Sequence, residues 1–391
     1  MILCIDASNL STGGGRTHIV ELLRNARPRE AGFDSVVIWG TPDTLKAIPD
    51  QAWLDKVSPS GLRAGGIRRY LWQIAEMPRQ CHARQCDLLF VPGGTYWSSP
   101  VRVVTMCRNM LPFDWGESRR YGLSLVLLRL LALRWIQARG FKRADGVIFL
   151  SNHARFEVER QFGGLRQAVV IPHGVSNRFR QRPRRQRKVH DCNPSQPLRL
   201  LYVSTVEPYK HQWNVAEAVS AVRNRTGWPL ALDFVGAAYP KAKKRLESCL
   251  KRVDQNGEWT KILGAIPNDR LHEYLGQADI GIFASTCENL PNTLIEMMSA
   301  GLPIVCSNRA PMTDVLGNGG IYCDPESPTD IARALTSFIQ DAEARASAAE
   351  QSYAASSCYS WEKCAAQTFD YLARVARPEY SSEALSIGIA D

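Results

Sequence analysis

Two carboxylates eight residues apart, Glu288 and Glu296, are the strongest candidates for chemistry in this chain. They follow the apolar run 280–284, which predicts a strand, and Pro291 between them is typical of a helix start. Glu288 is therefore expected on a loop and Glu296 in the next helix. The first amides of such a helix have no partner within it and favour an anion such as a diphosphate. With the neighbouring hydroxyls of a sugar on Glu296 this describes a nucleotide-sugar site; the alternative is that Glu296 is a solvated helix residue and Glu288 a loop acid.

A lysine and a glycine-rich loop follow two other predicted strands. Lys210 comes after the apolar run 198–203 and just before a helix expected to begin near Trp213; it would bring a point charge to a phosphate, unless it is only solvated. Gly13 to Gly15 follow the first strand and precede a helix expected to begin near Thr17. Three glycines permit close approach of the backbone to a phosphate or a sugar; the alternative is a plain turn.

Strands and helices alternate along the chain in two series, so the predicted fold class is α/β with two doubly wound, Rossmann-like domains. In the first half we expect strands at residues 1–5, 35–39, 88–91, 101–106, 146–150 and 168–171. In the second half we expect them at 198–203, 230–235, 262–263, 280–284, 304–306 and 320–323. Ligands of such sheets bind at the carboxyl ends of the strands, so two domains facing each other would form a binding cleft.

The domain boundaries follow from this pattern and from one basic stretch. Between Arg178 and His190 there are seven Arg or Lys and no acid, which predicts an exposed linker. We therefore expect an N-terminal domain at 1–177, a basic linker at 178–197 and a C-terminal domain at 198–357. Residues 358–391 should form a last helix and a tail.

Composition narrows the class of protein. A chain of 391 residues with 45% hydrophobic and 22% charged residues suits two globular domains. The start has no basic region followed by an apolar run, and nowhere do 18 apolar residues follow one another, so we expect a cytoplasmic protein without a spanning helix. The eleven cysteines are scattered without a Cys-x-x-Cys pair, which indicates neither a disulfide framework nor a zinc site.

The net charge of +10 suits an anionic partner. Between Arg119 and Arg143 there are seven basic residues and no acid around a leucine-rich core. Because the leucines surround most of the helical circle, we favour a buried helix over one lying at a bilayer surface, although the flanking cations would attract anionic lipids. The basic linker lacks interleaved aromatic residues, so no nucleic-acid partner is expected.

The region from Asp279 to Ser307 resembles the donor-site signature of the retaining GT-B glycosyltransferases of family 4, also called glycosyl transferases group 1. It contains the two glutamates and the turn Ala300-Gly301-Leu302-Pro303. The resemblance extends over nearly the whole chain, through the glycine-rich loop, the Lys210 loop and Ile171-Pro172-His173-Gly174-Val175. Tyr359-Ser360-Trp361-Glu362 opens a last helix, which in this family crosses back onto the first domain.

The resemblance implies a role for each candidate residue. Glu296 would bind the ribose hydroxyls of the donor nucleotide, and Glu288 would face the transferred sugar near its anomeric carbon. Lys210 and the backbone amides around the helix start would hold the diphosphate, which makes a metal unnecessary. The donor side comprises Leu290, Pro291, Asn292, Thr205, Gly14, Gly15 and Gly264. The acceptor side comprises Asn9, Arg16, Asn109 and His173, although His173 is also explained as a residue that shapes the turn before Gly174.

Two positions depart from the family pattern. The family places an Arg five residues before its phosphate-binding Lys, and this chain has Thr205 there. After the strand at 101–106 many relatives have a His near the reacting sugar, and this chain has Arg108. We assign Arg108 to the catalytic side with Glu288 and Lys210, in contact with an acceptor phosphate or a negatively charged sugar. The alternative is an arginine paired to a structural acid such as Asp114.

Three classes of function follow. The leading one is a retaining hexosyltransferase that moves a sugar from a nucleotide sugar to a saccharide or lipid-linked acceptor, in the biosynthesis of O-antigen, capsule or exopolysaccharide. Neither cofactor nor metal is expected, and no Asp-x-Asp motif is present. The second is a non-hydrolysing nucleotide-sugar epimerase of the same fold. The third is a basic protein that binds membranes or nucleic acid without catalysis.

Overall fold

Thirteen strands and sixteen α-helices alternate along the chain in the computed structural model, which describes residues 1–11, 13–63 and 66–377. The strands are Ile2–Asp6 (β1), Ser35–Trp39 (β2), Leu54–Val57 (β3), Leu88–Val91 (β4), Arg102–Met106 (β5), Gly146–Phe149 (β6), Ala168–Val170 (β7), Leu198–Val203 (β8), Leu230–Val235 (β9), Thr260–Gly264 (β10), Ile280–Phe283 (β11), Ile304–Ser307 (β12) and Gly320–Cys323 (β13). The helices are Gly13–Arg24 (α1), Pro42–Ala47 (α2), Ser60–Arg63 (α3), Gly66–Leu71 (α4), Met77–Ala83 (α5), Trp115–Ser118 (α6), Leu125–Arg143 (α7), Asn152–Phe162 (α8), Gln212–Thr226 (α9), Pro240–Val253 (α10), Leu271–Gln277 (α11), Asn292–Ser299 (α12), Met312–Leu316 (α13), Pro328–Gln340 (α14), Ala342–Ala355 (α15) and Trp361–Ala376 (α16).

The chain forms two units, and each contains one parallel sheet. Unit 1 comprises residues 1–113, 128–174 and the chain from Ser360 onward, and unit 2 comprises 114–127 and 175–359. The sheet of unit 1 has the order β3-β2-β1-β4-β5-β6-β7, and that of unit 2 has the order β10-β9-β8-β11-β12-β13. The central strands are buried apolar runs, as expected where helices cover both faces of a sheet. These two sheets bear out the predicted two-domain, Rossmann-like α/β class.

The order of each sheet reverses at one point, and that point predicts where ligands bind. In unit 1 the direction changes between β1 and β4, and in unit 2 between β8 and β11. Chain connections on the two sides of such a point leave in opposite directions, so a crevice forms at the carboxyl ends of the two strands. The loops after β8 and β11 carry Lys210 and Glu288, and the loop after β1 carries Asn9.

The last helix, α16, packs within unit 1. The ring of Phe369 meets that of Phe33 edge-on with centroids 6.3 Å apart, and Arg102 donates to the carbonyl of Val375 at 2.9 Å. At its start, Trp361 lies against Gly174, where an added Cβ would come 2.2 Å from the Trp361 nitrogen. Gly174 is therefore needed for this close approach of two backbone segments, whereas the sequence had suggested a sharp reversal.

The basic segment after residue 177 belongs to unit 2, and it is exposed in part. Phe179 and Val189 are buried, and Arg184 donates to the carbonyl of Gly276 at 2.6 Å. Arg187 donates to the carbonyl of Gln196 at 2.8 Å, and its own carbonyl accepts from Arg345 at 2.5 Å. Five of the seven basic side chains are exposed, as expected of a solvated run, whereas Arg184 and Arg187 also donate to backbone carbonyls of unit 2.

Helix α7 also differs from the expectation of a buried helix. Leu130 and Phe141 are buried, whereas Leu128, Leu131 and Trp135 are exposed. These three residues follow one another at intervals of three and four, so they share one face of the helix. No helix among the described residues is long and apolar enough to cross a membrane.

One disulfide was not predicted. Cys4 in β1 and Cys86, just before β4, are joined by a disulfide, and the buried thiol of Cys81 lies close to both sulfur atoms. Eighty-two residues separate the two partners, and because they are brought together only by the pairing of β1 with β4, their spacing gave no signal.

Candidate active site

The switch point of unit 2 brings Lys210 and Glu288 together. Lys210 ends a short 3₁₀ turn after β8, and Glu288 lies on the loop between β11 and α12. Their side chains form an ion pair with little exposure of either partner. The sequence predicted both residues at one site but gave them different contacts, a diphosphate for Lys210 and a sugar for Glu288.

Aromatic rings and hydrogen bonds hold Lys210 in place. Its Nζ lies 5.2 Å from the ring centroids of both Tyr209 and Phe283, a distance at which a cation is attracted to the face of a ring. The hydroxyl of Tyr202 donates to the Lys210 carbonyl at 2.5 Å. Thr286, two residues before Glu288, donates its backbone N–H to the Tyr209 carbonyl at 2.9 Å. The two loops are thus tied together, and the ammonium group has one defined position.

The start of α12 leaves amides free beside this pair. Pro291 is the N-cap residue, and the first hydrogen bonds of the helix run from Leu294 and Ile295 to its carbonyl. Among the described residues, the N–H groups of Leu290, Asn292 and Thr293 have no acceptor. The partial positive charge of a helix start and these amides form an anion site. The prediction of a helix start after Pro291 is therefore correct.

Glu296 lies in the second turn of α12 with an unusual environment for an acid. Its Oε2 is enclosed and has no hydrogen-bond partner among the described residues. Burial raises the pKa of Glu296 to about 7, against the lowering effects of a hydrogen bond with Asn268 and of the positive charge of Arg178. An enclosed carboxylate oxygen without a donor is expected where a ligand hydroxyl completes the site.

Residues 114–127 add a part of this site that the sequence did not predict. The hydroxyl of Tyr121 donates to Glu207 at 2.8 Å. Arg120 bridges Glu117 at 2.6 Å and Glu326 at 2.5 Å, and burial raises the pKa of Glu117. Because this segment belongs to unit 2 but lies between helices of unit 1 in the sequence, no local motif could have revealed its contacts.

In unit 1, loops after three strands surround a cavity of about 400 Å³. Asn9, after β1, donates to the hydroxyl of Thr95, after β4, at 3.0 Å. Arg108, after β5, lies against Gly15 in the first turn of α1, where an added Cβ would come 2.9 Å from its Nη1. Asn109 lines the same cavity. The structure therefore brings together Asn9, Gly15, Arg108 and Asn109, which the sequence had divided between the donor, acceptor and catalytic groups.

Two other acceptor-side candidates lie elsewhere in unit 1. Arg16 donates to the carbonyl of Asp43 at 2.9 Å and does not line the cavity. His173 is buried, its ring 4.5 Å from that of His18 and 5.6 Å from that of Trp361. Gly14 is exposed at the start of α1. His18, one helical turn after Gly14, is a buried polar residue that the sequence gave no reason to select.

The buried histidine pair predicts a loss of stability at acid pH. Burial and the charge of Arg108 lower the pKa of His173 to about 3, and burial lowers that of His18 well below its usual value. The unfolded chain therefore binds protons below pH ~6.5 that the folded chain does not bind. His173 should cost about 2 kcal/mol of stability between pH 6.5 and 5, and His18 should add a loss of the same sign. Thermal melts of His18→Gln and His173→Gln should show a flatter decline over this range. The matched control is His82→Gln, which changes an exposed histidine and should retain the full decline.

Two family models cover most of the chain. Residues 12–178 match the model described as Glycosyltransferase Family 4, and residues 184–355 match that of Glycosyl transferases group 1. The chain belongs to the GT-B glycosyltransferases of family 4. The structural division agrees with the two matches, since the N-terminal one falls mainly on unit 1 and the C-terminal one on unit 2.

Individual relatives of this family 4 chain are distant. An O-antigen chain mannosyltransferase B of Escherichia coli is 28% identical over 172 residues, which is 44% of each chain. The chain thus spans about half the length of the curated relatives it matches. Among solved structures, a sucrose-phosphate synthase from Thermosynechococcus elongatus has a TM-score of 0.72 at 16% identity, covering 94% of this chain and 97% of the other. HepE from Anabaena, in complex with UDP-glucose, has a TM-score of 0.69 at 16% identity, covering 94% and 99%.

The structure also locates Thr205 and Arg108, which depart from the family 4 pattern, and the donor-side candidate Gly264. Thr205 is exposed after β8, and its carbonyl accepts a hydrogen bond from Gln212 at 3.1 Å. Gly264 ends β10, and its carbonyl accepts from the N–H of Gly236 at 2.8 Å. No described carboxylate lies within ion-pair distance of Arg108, and Asp114 instead caps α6 by accepting from the Glu117 N–H at 3.0 Å. The described residues thus offer no structural ion pair for Arg108.

Proposed function

We propose that this protein transfers a sugar from a nucleotide-sugar donor to a saccharide or lipid-linked acceptor, with retention of the anomeric configuration. The observation that carries the proposal is the group of ligand-ready atoms at one switch point of unit 2. An ammonium group, three free amides and an enclosed carboxylate oxygen lie on the loops after β8 and β11 and on α12. A nucleoside diphosphate carries the complementary groups, since its phosphates are anionic and its ribose offers two neighbouring hydroxyls.

Each group has a part in the proposed reaction. Glu296 accepts hydrogen bonds from the ribose diol, while the amides at the start of α12 and the ammonium of Lys210 hold the diphosphate. The bond between the anomeric carbon and the phosphate oxygen breaks, and the acceptor oxygen bonds to that carbon on the same face. The proton of the acceptor hydroxyl passes to the departing phosphate. Lys210 and the amides stabilise the charge that develops on this leaving group, so we propose that no metal is required.

The ion pair with Glu288 gives Lys210 a second contact in this scheme. A diphosphate that binds Lys210 competes with Glu288 for the same ammonium group. Release of Glu288 then frees its carboxylate to accept hydrogen bonds from the transferred sugar. The donor itself would thus convert the ion pair into the two contacts that the sequence predicted separately.

Relatives support the choice of substrates. The structure of HepE contains bound UDP-glucose, and the Escherichia coli relative is an O-antigen chain mannosyltransferase. We propose on this basis that the acceptor is part of a growing cell-surface polysaccharide, and that the nucleotide of the donor occupies the site on α12.

The decisive experiment is a screen of UDP- and GDP-sugars, first by thermal shift and then by NMR in the presence of EDTA. A donor should raise the melting temperature by mass action, and its sugar should appear on an added acceptor with unchanged anomeric configuration. Epimerisation of the donor without any acceptor would establish the epimerase instead. Stabilisation by no nucleotide sugar would refute the proposal.

We further propose that this enzyme works at an anionic membrane surface. The exposed apolar face of α7, formed by Leu128, Leu131 and Trp135, lies on a helix that ends in Lys142 and Arg143. Apolar residues beside cations are typical of helices at a bilayer interface.

Co-sedimentation with vesicles tests this second proposal. The variant Leu128→Ser/Leu131→Ser/Trp135→Ser should lose most of its binding to vesicles that contain phosphatidylglycerol. Wild-type protein should bind neutral vesicles weakly. The control Phe156→Ser removes an exposed aromatic residue from α8 and should bind as wild type does. Equal binding of the triple variant and wild type would contradict the proposal.

A further inference from the structure

The cavity of unit 1 has a one-sided distribution of charge. Its described lining residues include three arginines, Arg69, Arg108 and Arg129, and no carboxylate. Asp6 interacts electrostatically with Arg69 but does not line the cavity; it is buried and accepts hydrogen bonds from Gln73 at 2.7 Å and from the Ser8 N–H at 2.9 Å. That carboxylate is therefore already occupied, and the cavity itself has no anion.

The guanidinium group of Arg108 has no anionic partner among the described residues. Its Nε is enclosed and has no hydrogen-bond partner, and no described carboxylate lies within ion-pair distance of its guanidinium group. Burial lowers the pKa of Arg108 to about 10, so the group is still charged at neutral pH. The Arg108 side chain is half-buried, and a charge that is partly withdrawn from water without a partner is unfavourable. Gly15 leaves room for the guanidinium group, since an added Cβ there would come 2.9 Å from Nη1 and 3.3 Å from Nη2 of Arg108.

Neutral polar groups in the same cavity are suited to hydroxyls. The side-chain oxygens of Asn9 and Gln137 are enclosed and have no partner among the described residues. Gln137 lies on the face of α7 that also carries Arg129 and Leu133 into the cavity, at intervals of four residues. Amide oxygens accept hydrogen bonds from sugar hydroxyls, and an arginine fork matches a phosphate or carboxylate.

We propose that this cavity binds an anionic saccharide, a sugar that carries a phosphate or a carboxylate, as the acceptor. The inference rests on the proposed glycosyl transfer and deepens it by naming the acceptor class. The arginines take the anionic group, and the amides of Asn9 and Gln137 take hydroxyls of the ring. A volume of about 400 Å³ holds a ligand of one or two sugar rings.

The anionic group has two possible sources, a phosphate ester and a uronic acid, and both present oxygens to the same arginines. Calorimetry with glucose 1-phosphate, glucuronate and glucose separates them. One of the charged sugars should bind at least tenfold more tightly than glucose, and the stronger of the two identifies the source. This preference should decrease as salt is raised, since both partners are charged.

Substitution of the arginines tests the site itself. Arg108→Gln and Arg129→Gln should each weaken binding of the preferred charged sugar by about 10- to 100-fold and leave glucose unchanged. Arg129 is exposed, so its substitution tests the proposal even if Arg108→Gln fails to fold. The matched control is Arg166→Gln, which removes an exposed arginine outside the cavity and should bind as wild type does.

Three results would overturn the inference. The first is that charged sugars bind no better than glucose, and the second is that the arginine variants bind as wild type does. The third is displacement of the charged sugar by UDP, which would make the cavity part of the donor site. Failure of the proposed glycosyl transfer can be distinguished from failure of the anion site. If no nucleotide sugar binds while the charged sugar still depends on Arg108 and Arg129, the transferase proposal fails and the anion site remains.

Discussion

Lys210→Met should reduce glycosyl transfer about 10²- to 10³-fold, the effect expected when one fixed donor to a developing charge is removed. The same change should lower the melting temperature. Glu288 would be left with little solvent and no cation, which should cost about 2 kcal/mol, or about 2 to 3 °C in a protein of this size. Turnover with a saturating donor and a thermal melt measure the two effects.

A double variant separates the two effects of Lys210. Lys210→Met/Glu288→Gln contains no unpaired charge, so it should recover most of the melting temperature but none of the activity. Lys243→Met is the matched control, because Lys243 forms an exposed ion pair with Glu247 on α10 and should change neither property appreciably. Full activity in Lys210→Met would show that the diphosphate binds elsewhere.

Glu296→Gln should weaken binding of the preferred nucleotide sugar about 100-fold at pH 8, because hydrogen bonds from the ribose to a charged acceptor are replaced by weaker ones. The wild-type affinity should also depend on pH. With a pKa of about 7, most Glu296 side chains are protonated at pH 6, and the affinity there should be about tenfold lower than at pH 8. The Gln variant should show no such dependence. Calorimetry with UDP-glucose and GDP-mannose is suitable, since neither diphosphate diester titrates in this range.

The raised pKa of Glu296 should affect stability in the opposite direction: donor affinity should rise with pH, whereas the free energy of unfolding should fall. The pKa of this carboxyl group is raised from a usual value of 4.5, so the folded chain holds a proton that the unfolded chain releases as pH rises from 4.5 to 7. Wild-type protein should therefore lose about 3 kcal/mol relative to Glu296→Gln over this range. Glu247→Gln, on the surface of α10, serves as the control with wild-type behaviour. A wild-type pH profile in Glu296→Gln would show that another group is responsible.

Much of the fold could be predicted because the central strands are continuous apolar runs. Of the thirteen strands, only β3 had no counterpart in the prediction. It is an edge strand of sequence Leu-Asp-Lys-Val, and charged residues are expected where a strand must not pair further. The start of α12 was predictable for a related reason, since Pro291 marks it locally.

The unpredicted parts depend on contacts between distant residues. The partnership of Lys210 with Glu288 joins positions 78 residues apart, and the tertiary fold alone sets their distance. The exposed face of α7 was missed because its leucines extend around the helix, and composition cannot tell which of them the sheet covers. The contacts of Arg184 and Arg187 were not predicted because their acceptors are backbone carbonyls, which leave no trace in the sequence.

The excursion of residues 114–127 into unit 2 has a consequence for recombination between relatives. The chain passes from one unit to the other at residues 113, 127, 174 and 359, so two cuts cannot excise unit 2 whole. A hybrid that exchanges only 175–359 would combine a foreign Glu207 and Glu326 with the native Tyr121 and Arg120. Crossover points that preserve both partners must transfer the short segment as well, so this fold is less modular than its two sheets suggest.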